Sequence, residues 1–202
     1  MKPSYSRFIV PILLLIGFAW RAAGTDRFVL KANPGAAEPY TDWGIAAAAI
    51  QEAIDYASAG DTIRVTNGLY DTGGRAIGAL TNRVTLDKAV ILQAVSTNRA
   101  DTVIQGAWDA TNVGNAAVRC VYMGTNSTLI GFTLTNGATR SLGYLPYERT
   151  GGGAYCEASG ILSNCVLVAN QGNYAGGGAY GGTLNNCVLS GNRCRAGSDE
   201  EC

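Results

Sequence analysis

The second half of the chain contains an internal repeat with a fixed pattern of apolar positions. Residues 129–134 (LIGFTL) match residues 162–167 (LSNCVL) and 184–189 (LNNCVL) at the first, fourth and sixth positions. A second element, Gly-Gly-Gly-Ala-Tyr, occurs at 151–155 and again at 176–180. Such repetition is typical of folds in which each unit stacks on the previous one and buries a continuous core.

The spacing of the repeats favours a coil of parallel strands. The units begin 33 and 22 residues apart, and most of the excess lies in a loop inserted near residues 138–150, so one turn takes about 22 residues. A solenoid of helix pairs needs longer units with a period of about 3.6 residues, which is absent here. In a coil of strands, successive turns stack about 4.8 Å apart. The sequence therefore predicts an all-β parallel solenoid.

One helix is predicted, over residues 41–58, upstream of the strands. Thr41 or Asp42 can cap its beginning, and Gly60 follows its last turn. We expect this helix to cover the open strand edges and the apolar end of the first turn. The predicted strands are the β-prone runs 62–65, 83–86, 90–94, 102–104, 118–122, 129–134, 161–167 and 183–189.

Equivalent residues on successive turns are expected to form ladders inside the tube. Three ladders are predicted: Tyr122/Tyr155/Tyr180, Leu129/Leu162/Leu184 and Phe132/Cys165/Cys187. Two pairs of asparagines also recur, Asn164/Asn186 and Asn170/Asn192. Stacked amides at a bend can satisfy backbone groups that turn out of the sheet, and glycines can supply left-handed corners.

The first 24 residues have the pattern of a secretory signal peptide. Lys2 and Arg7 precede the apolar run 8–20, and Ala22 and Gly24 fit a cleavage site before residue 25. An uncleaved anchor is the alternative, but this run is too short for a hydrocarbon layer of about 30 Å. We therefore expect a secreted, cell-surface or outer-membrane protein whose mature chain has no membrane span.

The chain is thus divided into three parts: a signal peptide (1–24), an N-terminal segment with the capping helix (25–60) and a parallel β-helix (61–202). No capping element follows the last repeat, so we expect the β-helix to be truncated at its C-terminus. The alternative is that this end is a partner surface.

Charge and composition exclude several classes of function. Without the signal peptide the chain has a net charge of −3, which argues against a nucleic-acid partner because phosphate binding needs clustered Lys and Arg. The chain contains no histidine, which excludes Ser-His-Asp triads and histidine-ligated metal sites.

The six cysteines fall into three groups. Cys165 and Cys187 lie on adjacent turns and are expected to be buried free thiols, with a bridge between them as the alternative. Cys194 and Cys202 lie in a polar terminal stretch and are the disulfide candidates. Cys120 and Cys156 are compatible with either a free thiol or a disulfide.

With these residues identified, the chain resembles the right-handed parallel β-helix (pectate-lyase-like) superfamily. Residues 53–70 (AIDYASAGDTIRVTNGLY) resemble the N-terminal cap and first turn seen there, and residues 164–180 are similar to the repeats of polymorphic outer-membrane proteins. Cysteine replaces the usual aromatic residue at positions 165 and 187. The resemblance covers residues 40–193 and implies a right-handed coil. It does not specify an activity, since this fold supports lyases, hydrolases, adhesins and inert passengers.

The inserted loop is the predicted binding site. Tyr144 and Tyr147 can stack on sugar rings, while Arg140 and Arg149 can contact carboxylates or sulfates. The alternative is a variable loop without a ligand.

Catalysis on such a scaffold needs carboxylates: a lyase uses them to hold calcium, and a hydrolase uses a pair as acid and base. Glu157 follows Tyr155 by two residues, but the equivalent positions are Gly124 and Gly182. The repeat therefore predicts no carboxylate pair on this face. Asp101 and Asp109 are acidic, but turn residues of this type are common.

The sequence thus favours an adhesin-like or polysaccharide-binding scaffold without a cofactor, with polysaccharide or a cell-surface ligand as its partner. The alternative is a polysaccharide lyase or glycoside hydrolase, and calcium is expected only for the lyase. The oligomeric state remains open.

Overall fold

The computed structural model describes residues 24–144 and 146–195, and these residues form a parallel β-solenoid of about four turns. The predicted all-β fold with a helix at its N-terminal end is confirmed. In chain order the strands are β1 (Asp26–Val29), β2 (Thr62–Val65), β3 (Gly68–Tyr70), β4 (Arg75–Ile77), β5 (Leu80–Leu86), β6 (Ile91–Ala94), β7 (Thr102–Gln105), β8 (Val118–Met123), β9 (Thr128–Ile130), β10 (Thr133–Thr135), β11 (Ala154–Cys156), β12 (Ile161–Ser163), β13 (Val166–Val168), β14 (Gln171–Gly172), β15 (Ala179–Tyr180), β16 (Thr183–Asn185), β17 (Val188–Ser190) and β18 (Arg193–Cys194).

Three long sheets run along the solenoid. The first has the order β1-β2-β6-β9-β12-β16, the second β3-β7-β10-β13-β17, and the third β4-β5-β8-β11-β15. All pairs in them are parallel except β4–β5, which is a hairpin. A short parallel pair, β14–β18, follows the second sheet. Each turn thus contributes one strand to each sheet.

Left-handed residues divide the repeated runs into two strands. The runs predicted as single strands bend after β9, β12 and β16, at Gly131, Asn164 and Asn186, where φ is 84°, 51° and 51°. Glycine and asparagine tolerate this conformation better than other residues, so the third position of each repeat is the corner between two sheets. The side chains of the two corner asparagines also stack, with Asn186 Nδ2 donating to Asn164 Oδ1 at 3.2 Å.

A second asparagine ladder satisfies backbone groups inside the coil. Asn170 is fully buried; its Nδ2 donates to Leu134 O at 3.0 Å, and its Oδ1 accepts from Gly137 N at 2.8 Å. One turn later, Asn192 Nδ2 donates to Leu167 O at 2.8 Å, and its Oδ1 accepts from Asn170 N at 3.1 Å. Each amide therefore pairs with the backbone of the preceding turn.

The helix, α1, is shorter than predicted and covers Ile50–Tyr56. Asp42, one of the two predicted caps, caps a separate 3₁₀ helix, Trp43–Ile45, by accepting from Gly44 N at 2.8 Å. The predicted continuous helix is wrong because Ala47 is extended and exchanges hydrogen bonds with the β1 segment: its N donates to Phe28 O, and its O accepts from Leu30 N. The Glu52 carboxylate accepts from the amides of Ala48 and Ala49 and so caps the helix beginning.

The helix lies at the N-terminal end of the coil. It buries Ile50, Ala53 and Ile54 against the core. Lys88 Nζ donates to three carbonyls at its C-terminal end, those of Ile54, Asp55 and Ala57. A cation at this position also complements the helix dipole.

The N-terminal segment contributes a strand that the sequence did not predict. β1 pairs with β2, and Arg27 Nε donates to Asp61 Oδ2 at 2.8 Å in a buried ion pair. The signal peptide lies outside the described residues, apart from Gly24. None of the helices in the described ranges has the length and apolar character needed to cross a membrane.

The apolar ladders lie in the core. Leu129 and Leu162 are fully buried and in register with Leu184, which is 36% exposed on the last described turn. Phe132 and Cys165 are also fully buried, and Cys187 packs against the core half-buried.

The predicted inward direction of the tyrosines is wrong. Tyr155 is in register with Tyr122 and Tyr180, as the repeat implies, but the core contains their neighbours Val121 and Ala154. Successive side chains of a strand point to opposite faces, so the three tyrosines lie on the outer face of the third sheet.

Four cysteines, Cys120, Cys156, Cys165 and Cys187, are free thiols. The alternative bridge between Cys165 and Cys187 is not formed; their hydrogen bond, together with burial, raises the pKa of Cys165. Cys194 is disulfide-bonded. Cys202 lies outside the described residues, so the pairing of Cys194 with Cys202 stays a prediction.

We predict that Asn170→Ala lowers the free energy of unfolding by about 2–3 kcal/mol, because it removes the side-chain acceptor of the buried amide Gly137 N and a side-chain donor to Leu134 O. The matched change Asn192→Ala lies on the last described turn and should cost about 1 kcal/mol. Urea denaturation of both variants measures the difference. If the two variants lost the same free energy of unfolding, the greater role of the buried Asn170 in the asparagine ladder would be contradicted.

Candidate functional site: a tyrosine cleft

The outer face of the third sheet has a continuous stack of tyrosine rings. The ring centroids of Tyr122 and Tyr155 are 5.6 Å apart with an angle of 7° between the rings, and those of Tyr155 and Tyr180 are 5.7 Å apart at 15°. The inserted loop extends this surface: Tyr147 packs on Tyr155 at 5.6 Å, and Tyr144 stacks on Tyr147 at 6.3 Å. The repeat and the loop therefore form one aromatic surface.

Between the loop and the sheet lies an open cleft of about 450 Å³. We call it the tyrosine cleft. Its walls come from the β4–β5 hairpin, strand β8, the inserted loop and the residue after β11. The lining residues are Ile77, Gly78, Tyr122, Tyr144, Tyr147, Glu148 and Glu157.

Glu148 fastens the inserted loop to the hairpin. Its Oε1 accepts from Ala79 N at 2.6 Å, and its Oε2 accepts from Tyr144 N at 3.2 Å and lies 3.5 Å from Arg140 Nε. Gly78 permits this approach, since its φ is 61° and a Cβ there would lie 2.6 Å from Glu148 Oε1. Arg140 adds a second link by donating from Nη1 to Ala79 O at 3.1 Å.

Arg119 holds the other end of the loop from beneath. Its guanidinium is fully buried and donates to Gly151 O, Thr150 O and Asn82 Oδ1, each at 2.8 Å, and also to Tyr147 O. Among the described residues it has no ion-pair partner. Burial lowers the pKa of Arg119 to about 9, so it remains a cation at neutral pH. It lies 5.3 Å from the centroid of the Tyr155 ring, a cation–π distance.

Of the four predicted binding residues, the two tyrosines line the cleft and the two arginines do not. Tyr144 and Tyr147 line the cleft, and Arg140 pairs with Glu148 at the base of the loop. Arg149 lies outside the lining: its Nε donates to Asn173 Oδ1 at 2.8 Å, and its guanidinium lies over the Tyr174 ring at 5.8 Å.

Glu157 and Tyr122 are the polar pair within the cleft. The Tyr122 hydroxyl donates to Glu157 Oε1 at 2.8 Å. Burial and this hydrogen bond raise the pKa of Tyr122, and burial together with the Glu157 charge raises the pKa of Tyr155 to about 12. Both phenols are therefore neutral at physiological pH.

The repeat positions equivalent to Glu157 carry no carboxylate, as expected from Gly124 and Gly182, but a second carboxylate, that of Glu148, lines the same cleft. Glu148 comes from the loop that interrupts the repeat, so it has no equivalent position on the other turns. Arg119 was also missed. The sequence signal for its buried role is that Arg119 is the one charged residue in the otherwise largely apolar strand β8.

The other acidic candidates are turn residues. Asp101 accepts from Ser96 Oγ at 2.7 Å and from Asn98 Nδ2 at 2.9 Å, and Asp109 accepts from Ala116 N at 2.8 Å. Within the part of the chain that the structure describes, no group of three or more Cys, Asp or Glu side chains is placed to hold a metal ion.

No protein-family model matches the chain, and no curated protein or solved structure is significantly similar to it. The fold and the cleft geometry are therefore the basis for the functional argument.

We predict that Arg119→Ala lowers the free energy of unfolding by about 3 kcal/mol, because several buried acceptors lose their donor at once. The variant should also be cut more rapidly by trypsin after Arg140, since the loop loses its anchor. The control Arg149→Ala removes a half-buried guanidinium and should cost about 1 kcal/mol. Equal stability of the two variants would contradict the anchoring role.

Proposed function

We propose that this chain is an exported β-solenoid that acts as a binding and display scaffold, with the tyrosine cleft as its polysaccharide-binding surface. The observation that carries the proposal is the convergence of Tyr122, Tyr144 and Tyr147 on one open cleft. Aromatic rings present apolar faces on which sugar rings stack, and the Tyr122 and Glu157 oxygens are suited to hydroxyl groups.

The way the cleft is built supports this proposal. Tyr122 lies on β8, which is paired with β5 on one side and with β11 on the other. The loop that carries Tyr144 and Tyr147 is held in place by hydrogen bonds of Glu148 and Arg119. Side chains held in place before binding lose little freedom when a ligand arrives, so more of the contact energy contributes to affinity.

Export and surface association are part of the proposal. They rest on the pattern of residues 1–24 and on the resemblance of the repeats to polymorphic outer-membrane proteins and, more widely, to the pectate-lyase-like superfamily. An open aromatic cleft on the outer face of a β-solenoid is suited to contact with polymers outside the cell.

The double variant Tyr144→Ala/Tyr147→Ala tests the proposal. A glycan array identifies a ligand for the wild type, and calorimetry then compares affinities. Loss of two stacking faces, each contributing about 1 kcal/mol, should weaken binding by about tenfold or more. The control Tyr174→Ala removes a tyrosine that is 55% exposed outside the cleft and should bind as the wild type does. Unchanged affinity of the double variant would contradict the proposal.

A second candidate function is glycoside hydrolysis, which the Glu148 and Glu157 carboxylates in one cleft favour. We rank it lower because both oxygens of Glu148 already accept hydrogen bonds from backbone amides, so this carboxylate is engaged in holding the loop on the hairpin.

Reducing-end and unsaturated-product assays, with and without calcium, test for hydrolase and lyase activity against the ligand found. Cleavage that is abolished in Glu157→Gln would favour the enzyme over the scaffold. Binding without product, in both assays, is the result that the scaffold proposal predicts.

A further inference from the structure

We infer that the tyrosine cleft selects ligands that carry an organic ammonium group and rejects acidic ones. This inference rests on the proposed binding function and adds to it the charge of the ligand. It also reverses the sequence-based expectation that Arg140 and Arg149 would attract carboxylates or sulfates.

The first observation is the charge of the lining. The cleft is lined by two carboxylates, those of Glu148 and Glu157, and by no Lys or Arg. The nearby guanidinium groups are already engaged: Arg140 with Glu148, Arg149 with Asn173 and Tyr174, and Arg119 in its buried position under the loop. Because Glu148 is paired with Arg140, and Arg119 lies beneath the loop outside the lining, the lining carboxylate without an ion-pair partner is that of Glu157.

The second observation is that the Glu157 carboxylate forms no ion pair with the described residues. Its described hydrogen-bond partner is the neutral Tyr122 hydroxyl, and within residues 24–144 and 146–195 no ion pair joins it to a Lys or Arg. Because the side chain is half-buried, solvent screens this charge less than at an open surface. An incoming ammonium group would be attracted, whereas a uronate or sulfate would be repelled.

The third observation is the arrangement of the rings. Tyr144 and Tyr147 are nearly parallel, with 13° between them, and Tyr122 lines the same cleft. A cation over an aromatic face gains about 0.5–2 kcal/mol, and several rings with a carboxylate are suited to alkylammonium groups. The same stack already holds one cation, since the Arg119 guanidinium lies over Tyr155.

Two sources supply this chemistry outside a cell. One is a polysaccharide containing amino sugars with free amines, and the other is a polymer or lipid headgroup carrying quaternary ammonium groups such as choline. In both, the recognised group is a positively charged nitrogen with attached carbon, and the binding experiment has one arm for each source.

The experiment measures binding to the full chain by calorimetry at mildly acidic pH, where the amine is protonated. Four probes are compared: a glucosamine oligomer, the N-acetylated oligomer of the same length, choline chloride and a galacturonate oligomer. We expect the glucosamine oligomer to bind at least tenfold more tightly than its N-acetylated counterpart, and the galacturonate oligomer to show no binding. Preference for choline over both sugars would support the inference and identify the quaternary ammonium as the source.

Glu157→Gln is the deciding variant, since the amide can still accept the Tyr122 hydrogen bond and so preserves the geometry. We expect it to reduce the preference for the charged oligomer to about twofold or less. Glu38→Gln, which removes an exposed carboxylate outside the cleft, should retain the wild-type preference. Circular dichroism of both variants checks that they are folded.

Two results would overturn the inference. They differ in whether the proposed binding function of the cleft is retained. Equal or tighter binding of the N-acetylated oligomer, with no binding of choline, would reject the charge preference but leave the cleft as a sugar-binding site. Charge-selective binding that survives Tyr144→Ala/Tyr147→Ala would place the ammonium group elsewhere and reject both this inference and the proposed function.

Discussion

Backbone pairing between successive turns determines where the repeated side chains of this protein lie. Each of the strands β8 to β14 is in register with its counterpart one turn later, so the same register determines which repeated side chains are stacked on one another. It places Leu129 above Leu162 in the core and Tyr122 beside Tyr155 on the outside. A slip of one residue would exchange the two faces, which would expose the leucines and bury the tyrosines.

The cleft exists because a non-repeating loop is fixed over a repeating surface. The stacked tyrosines supply a regular aromatic wall, and the insertion adds a second wall carrying Tyr144 and Tyr147. Glu148 holds the loop at the hairpin, and Arg119 holds it at the sheet. Both anchors are charged side chains whose hydrogen bonds go largely to backbone atoms, and such bonds stabilise loop positions more strongly than neutral ones.

The features that the sequence predicts well are those that repeat. The period, the leucine ladder and the asparagine pairs depend on contacts between equivalent residues, so spacing alone locates them. The direction of the tyrosines was predicted wrongly because a corner at Asn126, where φ is 60°, separates the strand of Tyr122 from the strand of Leu129, and side-chain alternation cannot be carried across a corner. The helix start was missed because alanines 46–49 fit an apolar helical stripe equally well, and only their pairing with β1 decides their conformation. Arg119 and Glu148 depend on contacts that occur once, which no repeat reveals.

The most direct test of the account is the pattern of nuclear Overhauser effects from the Tyr155 ring in solution. The account predicts contacts to the rings of Tyr122 and Tyr180, whose centroids are 5.6 and 5.7 Å away, together with contacts to Tyr147. Contacts from the Tyr155 ring to the methyl groups of Leu129 and Leu162 would contradict it, because they would place the tyrosines inside the coil and remove the outer aromatic surface.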